Sequence, residues 1–366
     1  MNKSTIEDTR GMSEFKGVSF SGYKTLDVVK CLITAMTGEK IENACYWCSE
    51  LICSGHYMEL WECIFHYYCK YIHIANPKLS IYIATKLIRF RENMNNVDSQ
   101  QEQLEFRNDN GFRTLFIELI VIMSLSPKKY TVSAVKVGEN DFNMLKLKDL
   151  LQAPDLSYSE DIFKEDDPKE LMITINEFSY NLSDTVSNTL KAYYWYEWVV
   201  EYIKICKKNK QVCRIHKREN EGIDEKYLTN PIWLVWEAIK KNADSRGSIY
   251  SKIINSLYTI FCVRYSDTHN TKRRLVVYFA ISILTTNIIF SEYEILKDKT
   301  ILTCVLNQID KIFIQVKEKG AAIEKEKEKE KEGDTTQEKS SDKQNNNSGN
   351  KSIPFNVFEH DFIPRI

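Results

Sequence analysis

Apolar residues recur at three- and four-residue intervals along most of this chain, and that period predicts helices rather than strands. Leu26, Val29, Leu32, Ile33 and Met36 form the first stripe. Ile41, Ala44, Cys45, Cys48, Leu51 and Ile52 form the second, with Gly55 placed as a left-handed stop. Met58, Trp61, Phe65, Tyr68, Cys69 and Ile72 mark a third helix. Asn76 and Pro77 supply a cap and a first-turn proline for a fourth.

Residues 93–110 are polar enough to read as a linker or long loop, after which Phe112 to Leu125 forms an apolar, buried helix. The pattern from 126 to 180 is mixed. TVSAVKV at 131–137 suits a short strand, and Glu160, Asp161, Glu165, Asp166 and Asp167 suit a solvated loop. Helical spacing then returns. Leu190, Tyr194, Trp198, Tyr202 and Ile205 line one side of a helix whose other side carries Glu197, Glu201, Lys204 and Lys208. Asn230-Pro231 repeats the earlier start signal, and helices follow over 249–263, 272–289 and 300–320, the last with Leu302, Leu306, Ile309, Phe313 and Val316 inward.

These signals predict a mainly α fold: a multi-helix bundle in two lobes, 23–125 and 183–320, with a mixed, irregular connection over 126–182. A flexible N-terminus over 1–22 precedes it. Beyond Gly320, the Glu- and Lys-rich run over 321–350 has almost nothing to bury, so we expect a disordered charged linker, whose alternating charges can prolong the preceding helix. An apolar peptide over 351–366 follows, with Phe355, Phe358 and Phe362 as candidate anchors for a protein partner or for the chain's own domain.

Composition narrows the function classes. With 50 Lys and Arg against 51 Asp and Glu, the molecule has no overall attraction to nucleic acid or anionic membrane, so such a contact must be local. The densest local patch is Lys207, Lys208, Lys210, Arg214, Lys217 and Arg218, a candidate nucleic-acid contact; the alternative is a helix C-terminus complemented by cations, since Glu219, Glu221, Asp224 and Glu225 follow at once. The most apolar run, 275–290, is too short and too interrupted to span a bilayer, so no membrane contact is expected. MNKSTIEDTR lacks the apolar core of a secretory leader, and the ten cysteines then read as reduced, mostly buried thiols of an intracellular protein.

Candidate chemistry is sparse. Gly17 to Thr25 has glycines and a lysine in the manner of a phosphate loop, but Tyr23 intrudes and no apolar strand precedes it. Cys45 and Cys48, with Cys53 and His56, have zinc-ligand types, yet the pair falls on one helix face rather than a knuckle. Cys206, Cys213 and His216 form a second weak set. The pairs Trp195/Trp198 and Trp233/Trp236 have the spacing of core anchors or, less often, of a peptide groove. No triad or HExxH spacing appears among the histidines; no metal, cofactor or catalytic residue is expected, although a site in 126–180 stays open.

Two resemblances add to this. TLDVVKCLITAMTGEKIENACYWCSELICSG and LWECIFHYYCKYIHIANPKLSIYIATKL, within residues 25–85, resemble the helical C-terminal segment of MgsA-type AAA+ ATPases, relatives of the clamp loaders. The ATPase core has no counterpart here, so the resemblance implies oligomerisation or scaffolding, with a clamp-loader-like nucleic-acid factor as the alternative. KAYYWYEWVVEYIKICKKNK, NPIWLVWEAI and RRLVVYFAISILTTN resemble a protein family of nucleocytoplasmic large DNA viruses. That second resemblance covers most of 20–318 and implies work in replication, transcription or virion assembly, in the host cytoplasm, viral factory or virion. The leading expectation is a non-enzymatic scaffold or adaptor for protein partners.

Overall fold

The computed structural model describes residues 3–131, 134–292 and 294–334. Among these residues the chain forms fifteen α-helices and no β-strand, as the periodicity predicted; a single antiparallel bridge joins Val18 and Lys24. Helix α1 spans Thr25–Thr37, α2 Ile41–Cys53 and α3 Tyr57–Tyr67, and a π-helical turn at Tyr68–Ile72 leads towards α4, Leu79–Asn95. Next come α5 (Gln100–Glu105), α6 (Asn110–Leu125), α7 (Met144–Leu150) and α8 (Lys169–Leu182). Helices α9 (Thr189–Lys208), α10 (Ile232–Arg246) and α11 (Ser248–Cys262) follow. The series ends with α12 (His269–Lys272), α13 (Arg274–Thr285), α14 (Thr300–Asn307) and α15 (Ile309–Asp334).

Contacts divide the described residues into two compact units, one from within 3–67, 86–126 and 296–334, the other from within 68–85 and 127–295. The boundaries differ from the two lobes read along the sequence. Helices α14 and α15 belong with the N-terminal elements because Ile312, Phe313 and Val316 are fully buried in a unit where α15 packs on α2 and α6.

In the first unit α2 is the central element: all of its residues are buried, with α1, α6 and α15 packed around it. A helix enclosed on every side needs apolar residues all round, and Ala44, Tyr46, Trp47, Leu51 and Ile52 supply them. The N-terminal segment is not loosely held. Ile6, Phe15 and Phe20 are buried, Asn108 Oδ1 accepts from the Ile6 N–H at 2.8 Å, and the Arg113 guanidinium donates to the Ser4 carbonyl at 3.1 Å. The supposed linker over 93–110 is ordered too. Ser99 and Glu102 form a capping box for α5, which buries Leu104, and Asp109 caps α6 through the Phe112 N–H at 2.8 Å. Helix α1 turns a different face inward from the one its spacing suggested: Val28, Leu32, Ala35 and Met36 are buried, whereas Leu26 is 76% exposed.

The second unit is built on α13, where every residue from Val276 to Thr285 is buried, with α8, α9, α10 and α11 against it. Trp233 and Trp236 are core anchors, packed edge-on or tilted against Tyr258, Phe261 and Tyr265. The Asn-Pro pair stands at the start of α10 as predicted, with Pro231 at the N-cap position and Asn230 Oδ1 accepting from the Ile232 N–H at 3.0 Å. No strand forms over the described part of 131–137. The irregular stretch 151–162 is held by α8: Glu177 Oε1 accepts the N–H groups of Gln152 and Ala153, and Asn176 pairs with Ser159 and the Asp155 carbonyl. A polar segment without helix or strand stays compact because buried side chains of a neighbouring helix take up its backbone groups.

A candidate binding cleft

The glycine-containing loop and the buried carboxylates singled out by the sequence have internal structural uses. The glycine-containing loop over 17–25 wraps a carboxylate of the chain itself. Glu50 on α2 is fully buried and accepts the Ser19 hydroxyl at 2.8 Å, the Ser21 N–H at 3.0 Å, the Ser21 hydroxyl at 2.5 Å and the Tyr46 hydroxyl at 2.9 Å. Gly17 (φ 78°) and Gly22 (φ 81°) permit the tight turn. A phosphate has no place where that carboxylate sits.

Cys45 and Cys48 lie within α2 with no exposed surface, and burial pushes both thiols up from their ordinary value. His56 Nε2 is engaged with the Val18 carbonyl at 2.7 Å and Thr25 Oγ1 at 3.3 Å. No group of three or more His, Cys, Asp or Glu side chains is placed to hold a metal among the described residues. The set Cys206, Cys213 and His216 separates: Cys206 faces Cys213 and the Tyr202 hydroxyl, while His216 Nδ1 lies 3.3 Å from Asp166. Burial first, then the Cys206 sulfur, pushes the Cys213 thiol up to about 12, so neither ligand nor nucleophile chemistry is favoured there.

Glu197, read as solvent-facing, is buried. It accepts the Tyr278 hydroxyl at 2.9 Å and pairs with Arg274 at 2.9 Å; burial raises its pKa, and Arg274 offsets part of that rise. Tyr193 stacks on Tyr278 at 4.0 Å and meets Ser282 at 2.5 Å, so the group ties α9 to α13.

What the second unit leaves open is an apolar cleft of about 670 Å³ walled by α8 and α9. Trp198 forms its floor, with Tyr202 stacked on it at 5.4 Å and 10° and Phe142 against it at 4.6 Å. The Trp198 indole N–H donates to the Asp141 carbonyl at 3.2 Å, which fixes the ring. Ile173 and Ile205 line the sides, and Lys169, Glu170, Lys208 and Asn209 the rim. Three of the five residues read as the core stripe of α9, Trp198, Tyr202 and Ile205, thus form the cleft wall. The fully packed face of α9 is instead Ala192, Tyr193, Trp195, Tyr196, Val199 and Val200, and Leu190 is 64% exposed. The spacing found an apolar face on α9; it could not tell a packed face from an open one, because both have the same period.

The basic candidates separate by burial. Lys207, Lys208, Lys210 and Arg214 are exposed around the end of α9, where Lys210 (φ 56°) takes the left-handed cap position and Gln211 N–H closes back on the Cys206 carbonyl at 2.8 Å. Lys217 pairs with Glu225 at 2.5 Å. Arg218 is corrected outright: it is 2% exposed and cannot meet a phosphate. Its guanidinium donates to Asp167 at 2.7 Å, to Glu237 at 2.9 Å and to the Ile162 carbonyl at 2.9 Å. Burial alone would lower its pKa, but Asp167 and Glu237 hold it above the ordinary value. Asp167 is accordingly buried, not part of a solvated acidic loop. Phe355, Phe358 and Phe362 lie outside the described residues. No helix among the described residues is long and apolar enough to cross a membrane.

Comparison with protein families, curated proteins and solved structures finds no match to the chain.

Proposed function

We propose that the chain is a non-enzymatic helical scaffold or adaptor that takes an apolar peptide of a protein partner into the cleft between α8 and α9. The observation that carries this reading is the cleft itself, whose half-exposed Phe142, Tyr202, Ile173 and Ile205 surround a fixed tryptophan. Concave apolar sites of this size with a few polar groups at the rim are the usual places for ligands. The titratable groups at Glu50, Arg218 and Glu197 support it by having internal bracing roles. The resemblance to proteins of large DNA viruses suggests the setting, replication, transcription or virion assembly in an infected cell. The exposed quartet Lys207, Lys208, Lys210 and Arg214 favours, as a second reading, a clamp-loader-like contact with nucleic acid.

The test is partner recovery from infected cells with the full chain and with Ile173→Asp or Ile205→Asp. A partner cross-linked to the cleft in the parent should be lost from both variants at unchanged melting temperature. Retention of every partner would refute the cleft as the docking site.

A further inference from the structure

On the reading of the cleft as a peptide-docking site, we propose that its resident ligand is a segment of this same chain, residues 352–366, seated through Phe355, Phe358 and Phe362. These three rings recur at the i, i+3, i+7 spacing of peptides that lay one apolar face into a groove. The cleft offers the complementary surface, with Trp198, Tyr202 and Phe142 as aromatic floor and Ile173 and Ile205 at the sides.

Charge selects this occupant over a purely apolar one. The segment carries Glu359 and Asp361 between Phe358 and Phe362 and Arg365 beyond them, so the acids lie among the anchoring rings and the single base outside them. Lys169 and Lys208 stand at the cleft rim, and exposed Lys207, Lys210 and Arg214 continue the positive field beyond Lys208, with Glu170 the single acid in the lining. Opposite charge at the rim of an apolar site sets orientation and discriminates among peptides of equal hydrophobicity. Residues 335–351 separate α15 from the segment and span at most about 60 Å when extended. Being joined to the protein raises the segment's local concentration, so a modest intrinsic affinity suffices to fill the site until a partner of the same chemistry displaces it.

The experiment places a photo-cross-linker in the full-length chain as Phe358→p-benzoylphenylalanine and maps the products by mass spectrometry. Cross-links to peptides bearing Ile173, Tyr202 or Ile205 are expected, and Lys169→Glu with Lys208→Glu should reduce their yield severalfold at low salt. Links confined to other surfaces, or a yield indifferent to the charge reversal, would overturn the assignment. Mixing isotopically distinct copies shows whether the segment comes from the same molecule, as expected, or from a second one, which would overturn the tethered occupant. A full-length variant with Phe355→Ser, Phe358→Ser and Phe362→Ser is then titrated with synthetic peptide 352–366 and with an unrelated acidic, Phe-containing peptide. Saturable binding of 352–366 is expected. Binding of the unrelated peptide alone refutes this occupant and leaves the docking reading standing, whereas binding of neither removes both.

Discussion

His73 shows how one buried side chain can set a pH dependence. It follows the π-helical turn at Tyr68–Ile72 with a left-handed φ of 50°, packs on Phe279 at 4.7 Å, and buries an Nε2 atom that has no hydrogen-bond partner. Burial, with a smaller effect from Lys129, lowers its pKa from 6.5 to about 4. The unfolded chain therefore binds the proton more readily, so this group's contribution favours the fold above pH 6.5 and is lost as the pH falls from 6.5 towards 4, by about 3 kcal/mol at most. His73→Asn, which tolerates the same backbone region, should flatten denaturation midpoints measured across that window; an unchanged slope would show that other groups govern it. The lesson for reading sequence is similar at Arg218, Asp167 and Glu197. Each was assigned to a solvated surface from its charge and neighbours, and each is buried against a partner distant in sequence, 51 residues away for Asp167 and Arg218 and 81 for Glu197 and Tyr278. Local pattern holds no information about such partners.

At the scale of elements, helix existence was legible and helix facing was not. Period, caps and glycine stops located α2, α3 and α10, and Gly55 has the left-handed φ of 72° expected of it. The inward face of α1 and the use of α9 depended on what packed against them. Gly320 is the sharpest difference, since a glycine after an apolar stripe reads as a terminator, yet α15 runs on through it to Asp334. Its role is close approach: a Cβ there would meet Phe20 Cε1 at 2.5 Å and Cδ1 at 3.0 Å, and Phe20 is itself held against Phe15 and under Arg10. Gly320→Ala gains about 1 kcal/mol of helix propensity, but overpacking of this kind costs roughly 1–3 kcal/mol, so a net loss of about 1 kcal/mol is expected by urea denaturation. In a Phe20→Leu background the added methyl should cost little further stability, because a smaller side chain removes the contact. Additive losses would mean that Phe20 is not what the added methyl strikes.

For the whole molecule, near-balanced charge and the division of the chain into two units limit what a nucleic-acid role can be. The first unit gathers elements from both ends of the described chain, so reading lobes as consecutive stretches could not recover it: α15 and α2 lie more than 250 residues apart in sequence yet share one core. The candidate cleft was legible only as an apolar stripe on α9, and its openness came from the placement of α7 and α8. Of six basic candidates, five are exposed, among them Lys217 in an ion pair with Glu225, and Arg218 is internal. Counterion release scales with the number of phosphates neutralised, at a slope of about −0.9 per contact on duplex DNA, so four cations support a log–log salt slope no steeper than about −4. Replacing Lys207, Lys208, Lys210 and Arg214 with Gln should therefore abolish whatever duplex binding the parent shows at low salt and remove its salt dependence. Binding that survives the four substitutions, or a parent slope near −8, would locate the nucleic-acid surface elsewhere and detach it from the end of α9.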